Sequence, residues 1–189
     1  MRKVMIICLF AFLTLTGLQA QSEWSVKTNL PHLLTATPNV GVEYAFAQNY
    51  SVELSGGVNP FKFGDDAQLK HWIIWPEVRY WLKETYNGHF FGVHGLAGEF
   101  NVGGVKLPLK RLEPLENRRY DGKAIGAGVS YGYQWIIGNN LVLEVTAGLG
   151  AARLEYESYN LGEDGAKLGE GEKNYFGPTK GAIAIGYVF

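Results

Sequence analysis

Hydrophobic residues recur at every second position along most of the chain. In the segment Ala124–Trp135, one alternate set carries Ile, Ala, Val, Tyr and Trp, and the other carries Ala, Gly, Ser and Gln. The segments Leu141–Gly150 and Lys180–Phe189 repeat this alternation. Because successive side chains of a β-strand point to opposite faces, the pattern predicts strands with one apolar face and one small or polar face.

Eight segments carry a strand pattern. They are Trp24–Leu30, Val40–Phe46, Tyr50–Ser55, Leu69–Lys83, His89–Phe100, Ala124–Trp135, Leu141–Gly150 and Lys180–Phe189. The segment His89–Phe100 has the least clear facing. Helices are disfavoured, because scattered glycines each cost a helix about 1 kcal/mol.

The connections between these segments alternate in length. Short turns are expected at Gln48-Asn49, Glu84–Gly88 and Gly138–Asn140, and long polar loops at Asn59–Gln68, Asn101–Asp121 and Glu157–Asn174. An even strand number with this asymmetry is typical of outer-membrane proteins. The sequence therefore predicts an all-β fold, an eight-stranded antiparallel transmembrane β-barrel with short periplasmic turns and long extracellular loops.

A soluble periplasmic ligand-binding barrel is the alternative with the same strand count, but its apolar face points inward and its charged face meets water. Here the face opposite the apolar one carries Gly, Ser and Ala with isolated charges, as suits a narrow, filled interior. Several aromatic residues fall near the strand ends on the short-turn side, where a membrane-interface girdle is expected. They are Trp24, Phe46, Tyr50, Trp81, Phe90, Trp135, Tyr187 and Phe189.

The N-terminus has the pattern of a secretory signal peptide. Arg2 and Lys3 precede the apolar segment Val4–Leu18, and Ala20 provides a small residue for cleavage. We therefore expect residues 1–20 to be a cleaved signal peptide and residues 21–189 to form the barrel domain, in the outer membrane of a Gram-negative bacterium. The single Cys, Cys8, leaves with the signal peptide, which excludes disulfides and thiol chemistry from the mature domain.

Composition narrows the function classes further. The chain of 189 residues carries 17 Lys and Arg against 18 Asp and Glu, which excludes a strongly basic nucleic-acid binder. Its 47% hydrophobic content is that of an ordinary soluble domain, so alternation, and not composition, predicts the membrane.

Seven charged residues fall on the inward face when each strand's alternation is continued. They form a predicted lumen ion-pair network of Lys27, Glu43, Glu53, Glu77, Arg79, Glu144 and Lys180, with His94 as a possible further member. Such residues could line a proton path or a small pore, or form a catalytic carboxylate pair. A plug is favoured, because eight strands leave an interior just wide enough for side chains to fill and mixed charges can neutralise one another.

Neither a metal site nor a cofactor is predicted. The four histidines, His32, His71, His89 and His94, lack the spacing of metal ligands. An outer-membrane lipid-modifying enzyme, similar to lipid A deacylases, is the alternative function, but no compact His-x-Ser pairing supports it. We expect no catalytic residues.

Two groups of residues are predicted to bind other molecules. Lipopolysaccharide phosphates could contact the basic residues of one long loop, Lys106, Lys110, Arg111, Arg118 and Arg119. The alternating C-terminal residues resemble the signal that the barrel-assembly machinery reads; they are Ile183, Ile185, Tyr187 and Phe189.

Several segments resemble domain of unknown function family 3575, a family of Bacteroidetes-type outer-membrane β-barrel proteins. They are Lys27–Leu30, Thr37–Glu43, Trp75–Trp81, Asn87–His94, Ser130–Trp135 and Asn174–Lys180. The resemblance implies no established activity and suggests a link to surface appendage proteins. We therefore expect a non-enzymatic barrel with a plugged lumen and a structural or surface-interaction role, linked to fimbrial assembly or adhesion.

Overall fold

The computed structural model describes residues 23–62, 67–104, 114–161 and 165–189. The predicted signal peptide lies outside the described residues, as do Lys106, Lys110 and Arg111 of the predicted lipopolysaccharide contact.

Eight antiparallel strands form one sheet, each hydrogen-bonded to its neighbours in sequence, and the last strand pairs back with the first so that the sheet closes into a ring. This confirms the predicted all-β, eight-stranded antiparallel architecture. The strands are β1 (Trp24–Asn29), β2 (Asn39–Ala47), β3 (Tyr50–Asn59), β4 (Gln68–Trp81), β5 (Gly88–Gly103), β6 (Arg119–Ile136), β7 (Leu141–Tyr159) and β8 (Lys167–Val188).

Two short helices interrupt the connections, α1 (Leu30–Leu34) and α2 (Pro114–Asn117). In the part of the chain that the structure describes, neither helix has the length and apolar content needed to cross a membrane. We call the end of the ring with the β2–β3, β4–β5 and β6–β7 connections the turn end, and the opposite end the loop end.

The strands differ greatly in length, and one predicted loop is wrong. Most of Glu157–Asn174 is strand, since β7 runs to Tyr159 and β8 begins at Lys167. These residues are mostly polar on both faces, so no apolar alternation marks them as strand. Cross-strand ion pairs such as Arg153–Glu172 and Lys167–Glu157 accompany this part of the ladder, at 2.5 and 2.6 Å.

Even-numbered residues of β5 point into the ring, which settles the facing that its sequence left unclear. Phe90 is fully buried, whereas the neighbouring Phe91 is half exposed. For two residues the prediction of an outer aromatic girdle is therefore wrong: Trp81 and Phe90 are both fully buried in the interior. The alternation of β4 contained the signal, since Trp81 shares a face with Glu77 and Arg79.

A β-bulge changes the facing of β8 near its middle. Gly148 of β7 pairs with Lys180, but the next residue, Leu149, pairs with Pro178, so Thr179 is the extra residue. Thr179 and Lys180 both have inward contacts: the Thr179 hydroxyl bonds His94 at 2.9 Å, and the Lys180 ammonium bonds Glu77 at 2.8 Å. The bulge thus adds a polar group to the interior.

Candidate functional site: the charged interior

The centre of the ring holds a cluster of buried charges contributed by six strands. β1 supplies Lys27, β2 Glu43, β3 Glu53, β4 Glu77 and Arg79, β7 Glu144 and β8 Lys180. The structure thus brings together all seven residues of the predicted network, and each side chain is at most 6% exposed. Their inward position follows from alternation, since each lies on the face opposite the apolar one.

Arg79 lies at the hub of this cluster and contacts all four carboxylates. Its Nε donates to Glu77 Oε2 at 2.6 Å, and its two Nη atoms bridge to Glu43, Glu53 and Glu144 at 2.7–3.1 Å. The guanidinium carbon also lies 4.3 Å from the centre of the Phe90 ring. A planar group with five N–H donors suits this position, because a lysine could not reach four acceptors in one plane.

The two lysines that complete the cluster come from neighbouring strands, Lys27 from β1 and Lys180 from β8. Lys27 donates to Glu43 and to Glu144, the latter at 2.5 Å. Lys180 donates to Glu53 at 2.9 Å and to Glu77 at 2.8 Å. Every carboxylate therefore contacts at least two cations, which offsets the desolvation of these buried charges.

Small polar side chains occupy the remaining carboxylate lone pairs. Ser51 donates to Glu43, Ser130 donates to Glu77, and Thr146 donates to Glu144 at 2.7 Å. Trp81 in turn donates its indole N–H to Ser51 at 2.8 Å. Sequence reasoning missed these four residues, although all of them share the inward face of their strands with the charged residues.

This geometry suits a plug better than a metal site. Carboxylate oxygens of Glu43, Glu53 and Glu144 lie within 4.8 Å of one another, a spacing that could hold a cation. Lys27 and Arg79 already contact all three carboxylates, so the position of a metal is taken by protein cations. Four carboxylates against three cations leave the cluster with a formal charge of −1.

His94 borders the cluster without entering it. Its Nε2 pairs with the Thr179 hydroxyl at 2.9 Å, while its Nδ1 lies 3.9 Å from Glu77 and has no hydrogen-bond partner among the described residues. The side chain is buried in the interior. Of the other histidines, His89 faces outward, where Nδ1 contacts the Tyr131 hydroxyl at 2.6 Å, and the His32 ring lies tilted beside Trp75.

An apolar cluster closes the interior at the turn end. Its buried residues are Trp81, Tyr86, Phe90, Val142 and Val188. Tyr86 reaches inward from the β4–β5 turn with a positive φ of 68°, and its hydroxyl donates to the Glu23 carbonyl at 2.8 Å. Burial raises the pKa of Tyr86 well above its ordinary value, so the phenol stays a donor at all physiological pH values.

At the loop end, α1 and Trp75 cover a small cavity. The Trp75 indole donates to the Thr179 carbonyl at 3.0 Å, and its ring lies 5.6 Å from His32 of α1. The cavity beneath them has a volume of about 40 Å³ and ends on Lys27 and Lys180. This is room for a few water molecules.

The other predicted contact residues lie away from this centre. Arg118 and Arg119 stand at the loop end before and at the start of β6, and the Arg119 guanidinium covers the Tyr159 ring at 4.4 Å. Ile183, Ile185, Tyr187 and Phe189 are exposed on the outer face of β8 or just beyond it. Their recognition by lipopolysaccharide or by an assembly machinery stays a prediction.

The fold and site define a class of protein: a closed antiparallel ring of eight strands with a charged, filled interior. The chain matches the family described as "Protein of unknown function (DUF3575)" over residues 4–189, and it belongs to that family. Comparisons with curated proteins and with solved structures give no match.

Proposed function

We propose that the protein is a non-enzymatic outer-membrane β-barrel with a plugged lumen and a structural or surface-interaction role. The observation that carries this proposal is the band of exposed apolar residues around the ring. On β6 it includes Ile125, Val129, Tyr131 and Trp135, which are 43–67% exposed. So large an apolar surface on a single chain needs a non-aqueous environment.

The height of the band supports a lipid-facing role. On β6 it extends from Ile125 to Trp135, which is the 9–11 residues that a strand needs to cross a bilayer. Its upper limit is a row of paired charged residues, Glu99, Lys123, Glu155 and Glu172. Its lower limit carries outward aromatic residues such as Tyr50, Trp135 and Tyr187. A soluble barrel would place its charges on this outer face and its apolar residues inside.

The filled interior argues for a structural or interaction role over transport. The turn end is closed by aromatic residues, and the centre by seven ion-paired side chains. Binding of partners is then assigned to the loop end of the ring, which would face the cell exterior. Expected partners are outer-membrane lipid and lipopolysaccharide, the barrel-assembly machinery during insertion, and surface appendage proteins.

Insertion can be tested with the mature chain, residues 21–189, refolded with phosphatidylcholine vesicles. We expect the protein to float with the vesicles in a density gradient and to remain with them after carbonate and urea washes. The matched control is the same chain with Val129 and Leu149 of the outer band changed to Glu, which should abolish flotation while leaving the interior contacts unaltered. A wild-type chain that stays soluble and folded without detergent or lipid would contradict the proposal.

A further inference from the structure

The part of β8 nearest the loop end has a free edge. β1 pairs with β8 only from Asn29↔Ala184 to Ser25↔Val188. From Leu168 to Gly177, β8 pairs with β7 on one side and with no described strand on the other. An unpaired strand of this length presents a row of main-chain N–H and C=O groups, to which another strand can add.

The outer face of this edge carries an excess of negative charge. Glu172 lies directly opposite Glu155 of β7, and Glu170 lies opposite Glu157. Like charges opposite each other are unfavourable, and among the described residues these four carboxylates form ion pairs with three cations, Lys123, Arg153 and Lys167. Glu170 and Glu172, which lie on the strand with the free edge, are the most exposed of the four, with side chains 79% and 62% exposed.

Apolar residues flank the two glutamates on the same face. Alternation places Leu168 before Glu170 and Phe176 after Asn174, and these two hydrophobic side chains are 49% and 73% exposed. An added strand would set its side chains about 5 Å from these residues. It would best carry two basic residues at alternate positions, with an apolar residue at each end.

We propose that the free edge Leu168–Gly177 is a docking site for an extended, basic segment of a partner protein, added antiparallel to β8. The acidic side chains reject uncharged or acidic strands, so the edge selects its partner instead of pairing at random. The proposal rests on the proposed function only in placing the acidic part of the edge, up to Glu172, outside the cell. The register puts Phe176 level with Ala151 and Ala127, beside the outer apolar band. Two copies inserted in one membrane run their β8 strands in the same direction, so they cannot pair antiparallel.

The test uses the mature protein in detergent micelles and a fluorescent nine-residue peptide, Val-Thr-Thr-Thr-Lys-Thr-Lys-Thr-Val. We expect it to bind at least tenfold more tightly than the peptide with Glu in place of both lysines, because two favourable cross-strand pairs replace two repulsive ones. Hydrogen exchange of the amides between 168 and 177 should slow when the peptide binds. Fluorescence anisotropy gives the affinities.

Charge reversal on the protein provides the matched comparison. The double variant Glu170→Lys, Glu172→Lys should prefer the glutamate peptide, whereas Glu84→Lys, at the turn end, should bind as the wild type does. A lysine peptide N-methylated on the amides that face β8 should lose binding even if the double variant fails to fold.

Equal affinity for both peptides, or binding that survives N-methylation, would overturn the docking site. Slow exchange, in the peptide-free protein, of the amides in this segment that point away from β7 would also overturn it, since the edge would then already be covered. Because binding is measured in micelles, a failure here is separate from a failure of vesicle insertion.

Discussion

The interior of the ring has no space for an added side-chain atom at Gly92. Gly92 of β5 lies between Arg79 and Ser130 in the register. A Cβ atom at Gly92 would stand 2.4 Å from Ser130 Oγ and 2.5 Å from Glu77 Oε1. Ser130 Oγ donates to Glu77 Oε1, and the other oxygen of this carboxylate, Oε2, accepts from Arg79 Nε at 2.6 Å, so neither side chain is free to move aside.

Gly92→Ala is therefore expected to destabilise the protein by about 1–3 kcal/mol, as overpacking of an ordered interior does. Gly181→Ala is the matched control, because a Cβ there meets no atom within 4 Å. It should stabilise by about 0.4–1 kcal/mol through the unfolded chain. Urea unfolding in micelles, followed by tryptophan fluorescence, measures both, and equal effects of the two changes would contradict this account.

At this scale, the sequence predicts the facing of charged residues more reliably than that of aromatic residues, two of which, Trp81 and Phe90, point inward and not outward. A lone Glu or Lys within an alternating strand stands out, so the inward position of Glu144 or Lys27 can be predicted. Phe90 and Phe91 are adjacent and chemically identical, so nothing local says which of them points inward. The contact of Phe90 with Trp81, at 4.7 Å between ring centres, exists only after the strands have paired.

The β7–β8 hairpin has the longest strands of the described residues, with 19 and 22 residues. Its tip is paired through exposed ion pairs such as Lys167–Glu157, and the hydrogen bond from Lys167 lowers the pKa of Glu157. Ion pairs exposed to water in this way contribute little to stability. The tip is thus an addition to the ring and does not support it.

Replacing residues 155–172 with an Asn-Gly turn between Leu154 and Lys173, which pair directly, should leave the ring intact. We expect the melting temperature to change by only a few degrees, as measured by circular dichroism in micelles, and the basic peptide to lose its binding site. Loss of the folded state on shortening the hairpin would show that the tip stabilises the ring.

Element boundaries could be predicted only where one face is apolar. The turns at Gln48-Asn49 and Gly138–Asn140 lie where the sequence places them, because apolar alternation stops there. The hairpin tip and the bulge at Thr179 could not be predicted in the same way. The tip is mostly polar on both faces, and the bulge depends on the register that β7 imposes on β8.

On the scale of the whole molecule, the interior is closed at two levels, by the apolar cluster at the turn end and by the charged cluster at the centre. Wild-type protein in a planar bilayer should therefore give no steady ion current. The shortened-hairpin variant is the control, because its interior is unchanged and it should be equally silent. A stable conducting level in the wild type would show that the charged cluster lines a path.

The hub position of Arg79 has a consequence for the proposed membrane insertion. Its partners come from β2, β3, β4 and β7, so its full set of contacts forms only once β7 has joined β2, β3 and β4 in the ring. β4 carries its own ion pair, Glu77–Arg79, but β2, β3 or β7 crossing lipid alone would carry an unpaired carboxylate, which is far more costly than a paired one. In the proposed insertion, these strands should therefore gather their charges before they cross, with no stable state in which only some of them are inserted.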